Sequence, residues 1–435
     1  CSRILGLLRD VLFFSAFGAS VFGEAFILAF TIPNLFRRML GEGTLSSAFI
    51  PVYAETRKKS SKDAFDLMNK VLGRLMVVLS LLIVFVVSLS YGAAKGDWFD
   101  SDKWSNGSML NSITFGYVLF ICASAIMVGA LNTRGSFFAG ALSPILLNLF
   151  MISTLAFFGV SLGWSGSDLA VVLCLSVLLA GFVQFLLPFL QLRMADGWRW
   201  KLDLGRSQEL DRIKSIFWVG AMGAAVVQIN VLVSRFLAYS LDEQGGVSYL
   251  FLASRLIELP LGVFAIAIST VLFPELSKAA TESDRKNFMG YFFRGFRMTL
   301  AVTLPAAVGL ALLADPILSV LVQWGQFGPS QVRAASEVLL ISSLGLPLYA
   351  ISAFMVKAFH SQKQMIHPLR AALVSLLANA GFSLWLMQDN GVYGLAWANV
   401  LAAFFQTSYL IAKTRDFGFF ILWRKRPLFF LPILL

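Results

Sequence analysis

The chain has few of the side chains that build enzyme and metal centres. It has two histidines, His360 and His367, and three cysteines, Cys1, Cys122 and Cys174, in 435 residues. No two cysteines stand as CxxC. Cys122 and Cys174 fall inside apolar runs and read as small core residues, not as a disulfide framework or metal site. The histidines flank a short polar connection, which reads as surface. There is no GxxxxGK[ST] phosphate loop and no HExxH, so the sequence offers neither bound ATP as a power source nor zinc hydrolysis. We assign no catalytic residue, no metal site and no cofactor, and no cleavable signal peptide is visible. Charge is scarce too. Charged residues make up 14% of the chain, against about 25% in soluble domains.

Apolar residues fill the space left by charge. They make up 58% of the chain, and the mean hydropathy is +0.77. Low-charge runs near 20 residues recur, each long enough to cross about 30 Å of hydrocarbon. Barrel strands, which are short and alternating, do not fit them. The fold class read from this is an all-α polytopic membrane protein with at least 12 transmembrane helices. The spans are placed at 1–18, 22–40, 71–94, 109–132, 137–161, 168–193, 215–240, 247–273, 293–315, 334–358, 366–387 and 392–413. The opening at Cys1 and a further apolar run at 428–435 fit a chain cut at both ends, which makes twelve a floor.

Loop charges alternate along this order. Arg57, Lys58, Lys59 and Lys62 follow span 2, and Arg134 follows span 4. Arg199, Lys201, Arg206 and Arg212 follow span 6. Lys278, Arg285 and Lys286 follow span 8, Lys363 follows span 10, and Arg415, Arg424, Lys425 and Arg426 follow span 12. The intervening loops carry Asp97, Asp100, Asp102, Asp168, Asp242, Glu243, Asp315 and Asp389, diluted by Lys95, Lys103 and Arg333. The positive-inside rule then puts the amino terminus in the cytoplasm. It also accounts for the net charge of +11 through topology and anionic headgroups, with no nucleic-acid partner.

The longest polar interruption, 195–214, divides the chain into an N-terminal lobe (1–194, spans 1–6), a cytoplasmic linker (195–214) and a C-terminal lobe (215–415, spans 7–12). A cytoplasmic segment and the start of another span follow at 416–435. LSSAFIPVYAE (45–55) resembles ISTVLFPELSK (268–278), and ALNTRGSFFAGALSP (130–144) loosely parallels AFHSQKQMIHPLRAA (358–372). These pieces lie at corresponding positions, as expected of a parallel repeat with the cargo site between the halves. Residues 54–68 and 275–289 read as helices lying on the inner leaflet.

Four arginines, Arg3, Arg9, Arg37 and Arg255, sit within apolar runs. An arginine at bilayer depth costs about 2.5–3.5 kcal/mol on insertion scales, so it points to a polar cavity and an anionic partner. At 1.5 Å per residue, Arg9 and Arg255 lie roughly 14 and 12 Å below the outer edge, and Arg37 roughly 20 Å deeper than Glu24, which sits near the outer end of span 2. Arg3 falls nearer the inner mouth. Guanidinium forks donate paired hydrogen bonds and keep their charge, which suits a diphosphate. Intramembrane ion pairs compete for the same arginines: Arg9 with Asp10 or Glu24, Arg37 with Glu42, Arg255 with Glu258. Both readings hold in turn if the pairs close an empty gate. Pro33 and Pro260 break spans close to these arginines. The segment GEGTLSSAFIP (41–51) reads either as a flexible gate or as a tight connection.

SRILGLLRD (2–10), FGAS (17–20), EAFILAFTIPNLFRRMLGEGTLSSAFIPVYAE (24–55) and ASRLIELPLGVFAIAISTVLFPELSK (253–278) resemble the MviN/MurJ lipid II flippases of the MOP exporter superfamily. The likeness runs through the chain in span order. It implies two six-helix lobes in a V around a central cationic cavity, rocking between inward-open and outward-open states. It implies a multi-pass protein of the bacterial inner membrane that moves lipid II, an undecaprenyl-diphosphate disaccharide-pentapeptide, to the periplasmic leaflet, with the cell-wall synthesis machinery as partner. Fourteen spans are usual in the family, so the last two are expected to be missing here. The family's cavity arginines match Arg3, Arg9, Arg37 and Arg255. Asp10 matches an Arg-Asp pair, and Glu24 stands where Asp is usual. Some relatives hold sodium with acids in spans 7 and 11. Here span 7 has Arg235 and span 11 has Asn379, so that site is not carried over, and the coupling ion or membrane potential stays open. Three alternatives are weighed: a flippase for another polyprenyl-diphosphate-linked glycan, an ion-coupled multidrug exporter, which would need an acidic cavity, and a non-transporting scaffold.

Overall fold

In the computed structural model, residues 2–41, 44–96, 101–282 and 284–414 are described, and among them there are helices and turns but no strand. The helices run in order as α1 (Ser2–Phe17), α2 (Val21–Phe36), α3 (Thr44–Lys59), α4 (Ser61–Lys95), α5 (Asp102–Thr114), α6 (Tyr117–Asn132), α7 (Phe138–Thr154), α8 (Gly166–Asp196) and α9 (Gln208–Tyr239). They continue as α10 (Gly246–Pro260), α11 (Ile266–Thr281), α12 (Arg285–Leu312), α13 (Ala314–Val322), α14 (Pro329–Ser343), α15 (Leu346–Ser361) and α16 (Ile366–Lys413). Among the described residues, eight helical lengths are long and apolar enough to cross a membrane. There are nine if α14 and α15, bent by 44°, make one span. The chain is thus a multi-pass helical membrane protein. The 48-residue α16 counts once in that total, yet Gly391 breaks its helical geometry with φ 50° and ψ −128°. That break separates the lengths expected at 366–387 and 392–413. On α4, side chains such as Leu81, Val84 and Phe85 are exposed. An apolar exposed face of this kind is what lipid covers.

By packing, the chain forms two units. One comprises residues up to Gln228 together with Val322–Gly328, and the other comprises the rest. Each unit contains the same local design. In the first, α2 carries Pro33, a five-residue π-helical turn follows at Arg37–Gly41, and α3 carries Pro51. In the second, α10 ends on Pro260, a π-helical turn follows at Leu261–Ala265, and α11 carries Pro274. Proline removes an amide donor from the helix ladder, and a wider turn recovers the register. A side-chain cap then starts the next long helix in each: Ser60 accepts from the Asp63 amide, and Asp284 accepts from the Asn287 amide. This is the N-cap preference at work.

The two cores repeat the design. Phe49 and Tyr53 of α3 pack with Leu67 and Met68 of α4 and Met127 of α6. Leu276 of α11 packs with Phe292 of α12 and with Phe354 and Phe359 of α15. The matched sequence pieces, 45–55 with 268–278 and 130–144 with 358–372, lie on or just after these equivalent helices. The polar stretch after α8 is fastened to the first unit. Trp198 is buried, donates through Nε1 to Asn69 Oδ1 at 3.0 Å, and Asn69 donates to the Arg199 carbonyl. Arg74 adds bonds to the carbonyls of Leu204 and Gly205, and Arg212 reaches Glu55 at 2.7 Å. Within the same unit the 322–328 segment lies against α1. The Gln326 amide donates to the Ser15 carbonyl, and Phe327 stacks edge-on against Phe14.

Candidate functional site

In the first unit Arg9 projects from α1 and is buried, with 7% of its surface exposed. Its Nε and Nη2 both donate to Asp10 Oδ1, at 3.0 and 2.6 Å. Its Nη1 donates to Asn148 Oδ1 of α7 at 3.1 Å, and Asn148 in turn donates to the Ser2 carbonyl. Two elements therefore aim this guanidinium. One face meets a carboxylate, and another meets a neutral amide that fixes the fork without cancelling its charge. Of the two acids expected for Arg9, Asp10 is the one in hydrogen-bonding contact.

Arg37 opens the π-helical turn after α2. Its Nε donates to Asn34 Oδ1 at 2.9 Å. It lines a cavity of about 380 Å³ with Ser46, Ser124, Asn132, Ser143 and Pro144 among the walls. That cavity and Arg9 share α7, since Pro144 borders the cavity and Asn148, one turn on, holds Arg9. Arg3, on the first turn of α1, is exposed. Glu42 lies outside the described residues.

Glu24 is fully buried and pairs with Lys103 of α5 at 3.3 Å, where Lys103 has 12% of its side chain exposed. The glutamate lies in the first turn of α2, whose N-cap is Ser20. A carboxylate there also meets the positive end of the helix dipole.

In the second unit Arg255 and Glu258, one turn apart on α10, pair at 3.3 Å, and both are partly exposed. The Arg255 guanidinium lies over the Phe251 ring, 5.0 Å from its centroid. Arg235 of α9 lies over the same ring at 5.1 Å. Deeper in this unit, α9 and α16 meet through neutral groups. The buried Asn379 donates to Asn230 Oδ1 and to Ser234 Oγ at 2.8 and 2.7 Å, and Ser234 donates to Asn399. Uncharged amides and hydroxyls thus occupy the place where the sequence has no membrane acid. Among the described residues no three metal-ligating side chains come together.

The profile of the family described as lipid II flippase MurJ matches residues 13–429. The chain belongs to this family. It is similar to the probable lipid II flippase MurJ of Haemophilus influenzae, at 32% identity over all of this chain and 88% of that protein. The corresponding Vibrio cholerae protein is 33% identical over 98% of this chain and 82% of its own length. Among solved structures, a lipid II flippase MurJ in an inward closed conformation aligns with TM-score 0.80 and 28% identity, covering 95% of this chain and 86% of that one. An inward-facing MATE multidrug transporter of the MOP superfamily aligns with TM-score 0.77 over 96% and 95% of the two chains. At 14% identity it shares the fold alone. The family is one of flippases, which are transporters.

Three of these contacts were not anticipated from sequence. Asn148 is the lone amide in the run 137–161, and an isolated amide among apolar residues is a usable signal. Lys103 reads as a stray outer-loop charge until α5 is seen to begin at Asp102 and carry it against α2. Phe251 is one of 41 phenylalanines, and nothing in the sequence distinguishes it.

Proposed function

We propose that the protein is a lipid II flippase of the bacterial inner membrane, moving the lipid-linked peptidoglycan precursor from the cytoplasmic to the periplasmic leaflet by alternating access. Family membership across residues 13–429 carries this reading, and the arginines give it a mechanism. Twelve spans from this chain, six to a lobe in a V with the amino terminus inside, form the proposed frame. No chemical step is assigned. The cargo is bound, turned and released unchanged.

Arg9, Arg37 and Arg255 hold the diphosphate, and Arg3 gathers it near the inner mouth. A guanidinium inside an apolar helix needs polar partners or water beside it, and an anion is the strongest of these. Asp10 and Glu258 supply an anion to Arg9 and Arg255. A diphosphate competes for the same forks through stronger, doubly charged acceptors. The carboxylates are released as the lipid binds and return as it leaves, so binding and gate opening are one event. Glu24 belongs to the gate through Lys103. Asn148 keeps Arg9 aimed in both states because its bond is neutral. The drive is a coupling ion or the membrane potential, the latter worth about 2.3 kcal/mol per charge per 100 mV.

Complementation tests the reading. Cells depleted of their own lipid II flippase should survive on this protein and die on its Arg255→Ala variant at equal membrane abundance. Failure of the wild-type protein to rescue, or full rescue by Arg255→Ala, rejects it. Rescue restricted to cells that need another polyprenyl-diphosphate glycan would move the assignment to that cargo. A multidrug exporter is disfavoured by the sign of the charges, since the arginines present cations where a cationic drug would need acids.

A further inference from the structure

We propose that Arg235 is a second diphosphate-binding arginine of the C-terminal unit, which shares the Phe251 ring with Arg255. This rests on the reading of Arg255 given above.

The two arginines reach the ring from different helices. Arg235 lies four residues before the end of α9, and Arg255 lies nine residues into α10, which returns after a short turn. The guanidinium carbons are 5.1 and 5.0 Å from one ring centroid, so they lie no more than about 10 Å apart. Like charges that close repel, and more strongly away from water. The unit nonetheless holds them together. Phe251 gives each a cation–π contact. The Val247 carbonyl and Ser254 hydroxyl accept from Arg235 at 3.2 and 3.3 Å, and Glu258 accepts from Arg255.

A plain helix clamp would need only one of these cations. Two forks held within about 10 Å of each other by one ring match a ligand with two adjacent anionic groups, because each phosphate can take a separate guanidinium. The bonds to Val247 and Ser254 fix the plane of Arg235 across the α9–α10 hairpin. Arg235 would therefore act where charge count matters, in telling a lipid diphosphate from a lipid monophosphate.

The test is binding of undecaprenyl diphosphate and undecaprenyl monophosphate to the purified full-length protein, read by native mass spectrometry alongside thermal melts. Wild type should prefer the diphosphate. Arg235→Gln should weaken the diphosphate about tenfold or more and the monophosphate much less, so that the preference collapses. Phe251→Leu should do the same in part. If Arg235→Gln lowers the melting temperature but leaves both affinities within twofold, Arg235 is a clamp and the proposal is overturned. If Arg255→Gln weakens binding and Arg235→Gln does not, the proposal fails while the reading of Arg255 stands. If neither moves the affinity, the reading of Arg255 fails with it. Should Arg235→Gln not fold, Arg235→Lys decides, since it keeps the charge and loses the fork. A loss of threefold or more in diphosphate affinity supports the proposal, and an unchanged affinity overturns it.

Discussion

Replacing Lys103 by methionine isolates the buried ion pair at the start of α2. Glu24 is fully buried, and the Lys103 ammonium stands 3.3 Å from its carboxylate. At an effective dielectric of about 20, two unit charges at that distance attract by about 5 kcal/mol. Desolvation opposes this when the pair forms. It is not returned when one partner is deleted, so breaking a buried pair costs about 3–5 kcal/mol. Lys103→Met should lose that much. Glu24→Gln should lose less, because the lysine stem can carry its charge toward solvent. The double variant should fall well short of the sum of the two, since replacing both charges removes the penalty with the attraction. The interaction energy of the cycle should be at least about 1 kcal/mol. Unfolding of the purified protein, by denaturing detergent titration with circular dichroism, measures all four states. A Lys103→Met protein within about 0.5 kcal/mol of wild type, or additive losses in the double variant, would refute the assignment of this pair as a structural tie.

Trp198→Ala should cost about 3–5 kcal/mol, as large core truncations do, and Trp198→Phe about 1–3 because it strips Asn69 Oδ1 of its indole donor; both are read in the same titration. Gly325 has φ +59°, and a Cβ there would collide with the Ser15 carbonyl oxygen. Gly325→Ala should therefore lower the melting temperature. Gly328→Ala, where a Cβ meets nothing within 4 Å, should leave it unchanged, and equal shifts would remove the explanation. The Arg212 side chain holds the Glu55 carboxyl below the ordinary 4.5. The stabilisation from this pair is then complete above the unfolded carboxylate's pKa and is lost as pH falls through the lower folded value. Glu55→Gln should flatten that acid-side slope slightly, and the difference should vanish in high salt, because both partners are exposed.

The elements were legible in the sequence to the degree that one local property determined them. Arginine in an apolar run is visible at once, and Arg9 and Arg255 do meet the acids beside them, Asp10 and Glu258. Proline in a span marks a break, and π-helical turns follow both Pro33 and Pro260. Contacts made across long separations were not legible. Asn148 meets Arg9 across 139 positions, and no spacing rule reaches that far. Glu24 was expected near Arg9, yet α2 packs on α5 and presents the glutamate to Lys103. Hydropathy windows separated 366–387 from 392–413, and Gly391 does break the helical geometry between them; the sequence did not show that the break needs no loop, because a single glycine dihedral redirects the chain.

The internal likeness was a reliable guide to scaffold and a poor one to charge, and the reason lies in the two prolines. Around them the halves match closely: a helix, a π-helical turn, a proline-bearing helix and a capped long helix, with equivalent aromatic cores behind. The arginines do not follow that correspondence. Arg37 comes four residues after Pro33, and Arg255 comes five residues before Pro260. The first hydrogen-bonds the amide of Asn34, and the second stacks on Phe251 and pairs with Glu258. The repeated part is what builds a bent helix in lipid, a requirement both halves share. The charged part has different partners in each half, Asn34 for Arg37 and Phe251 with Glu258 for Arg255, so likeness between the halves cannot supply the partners of either.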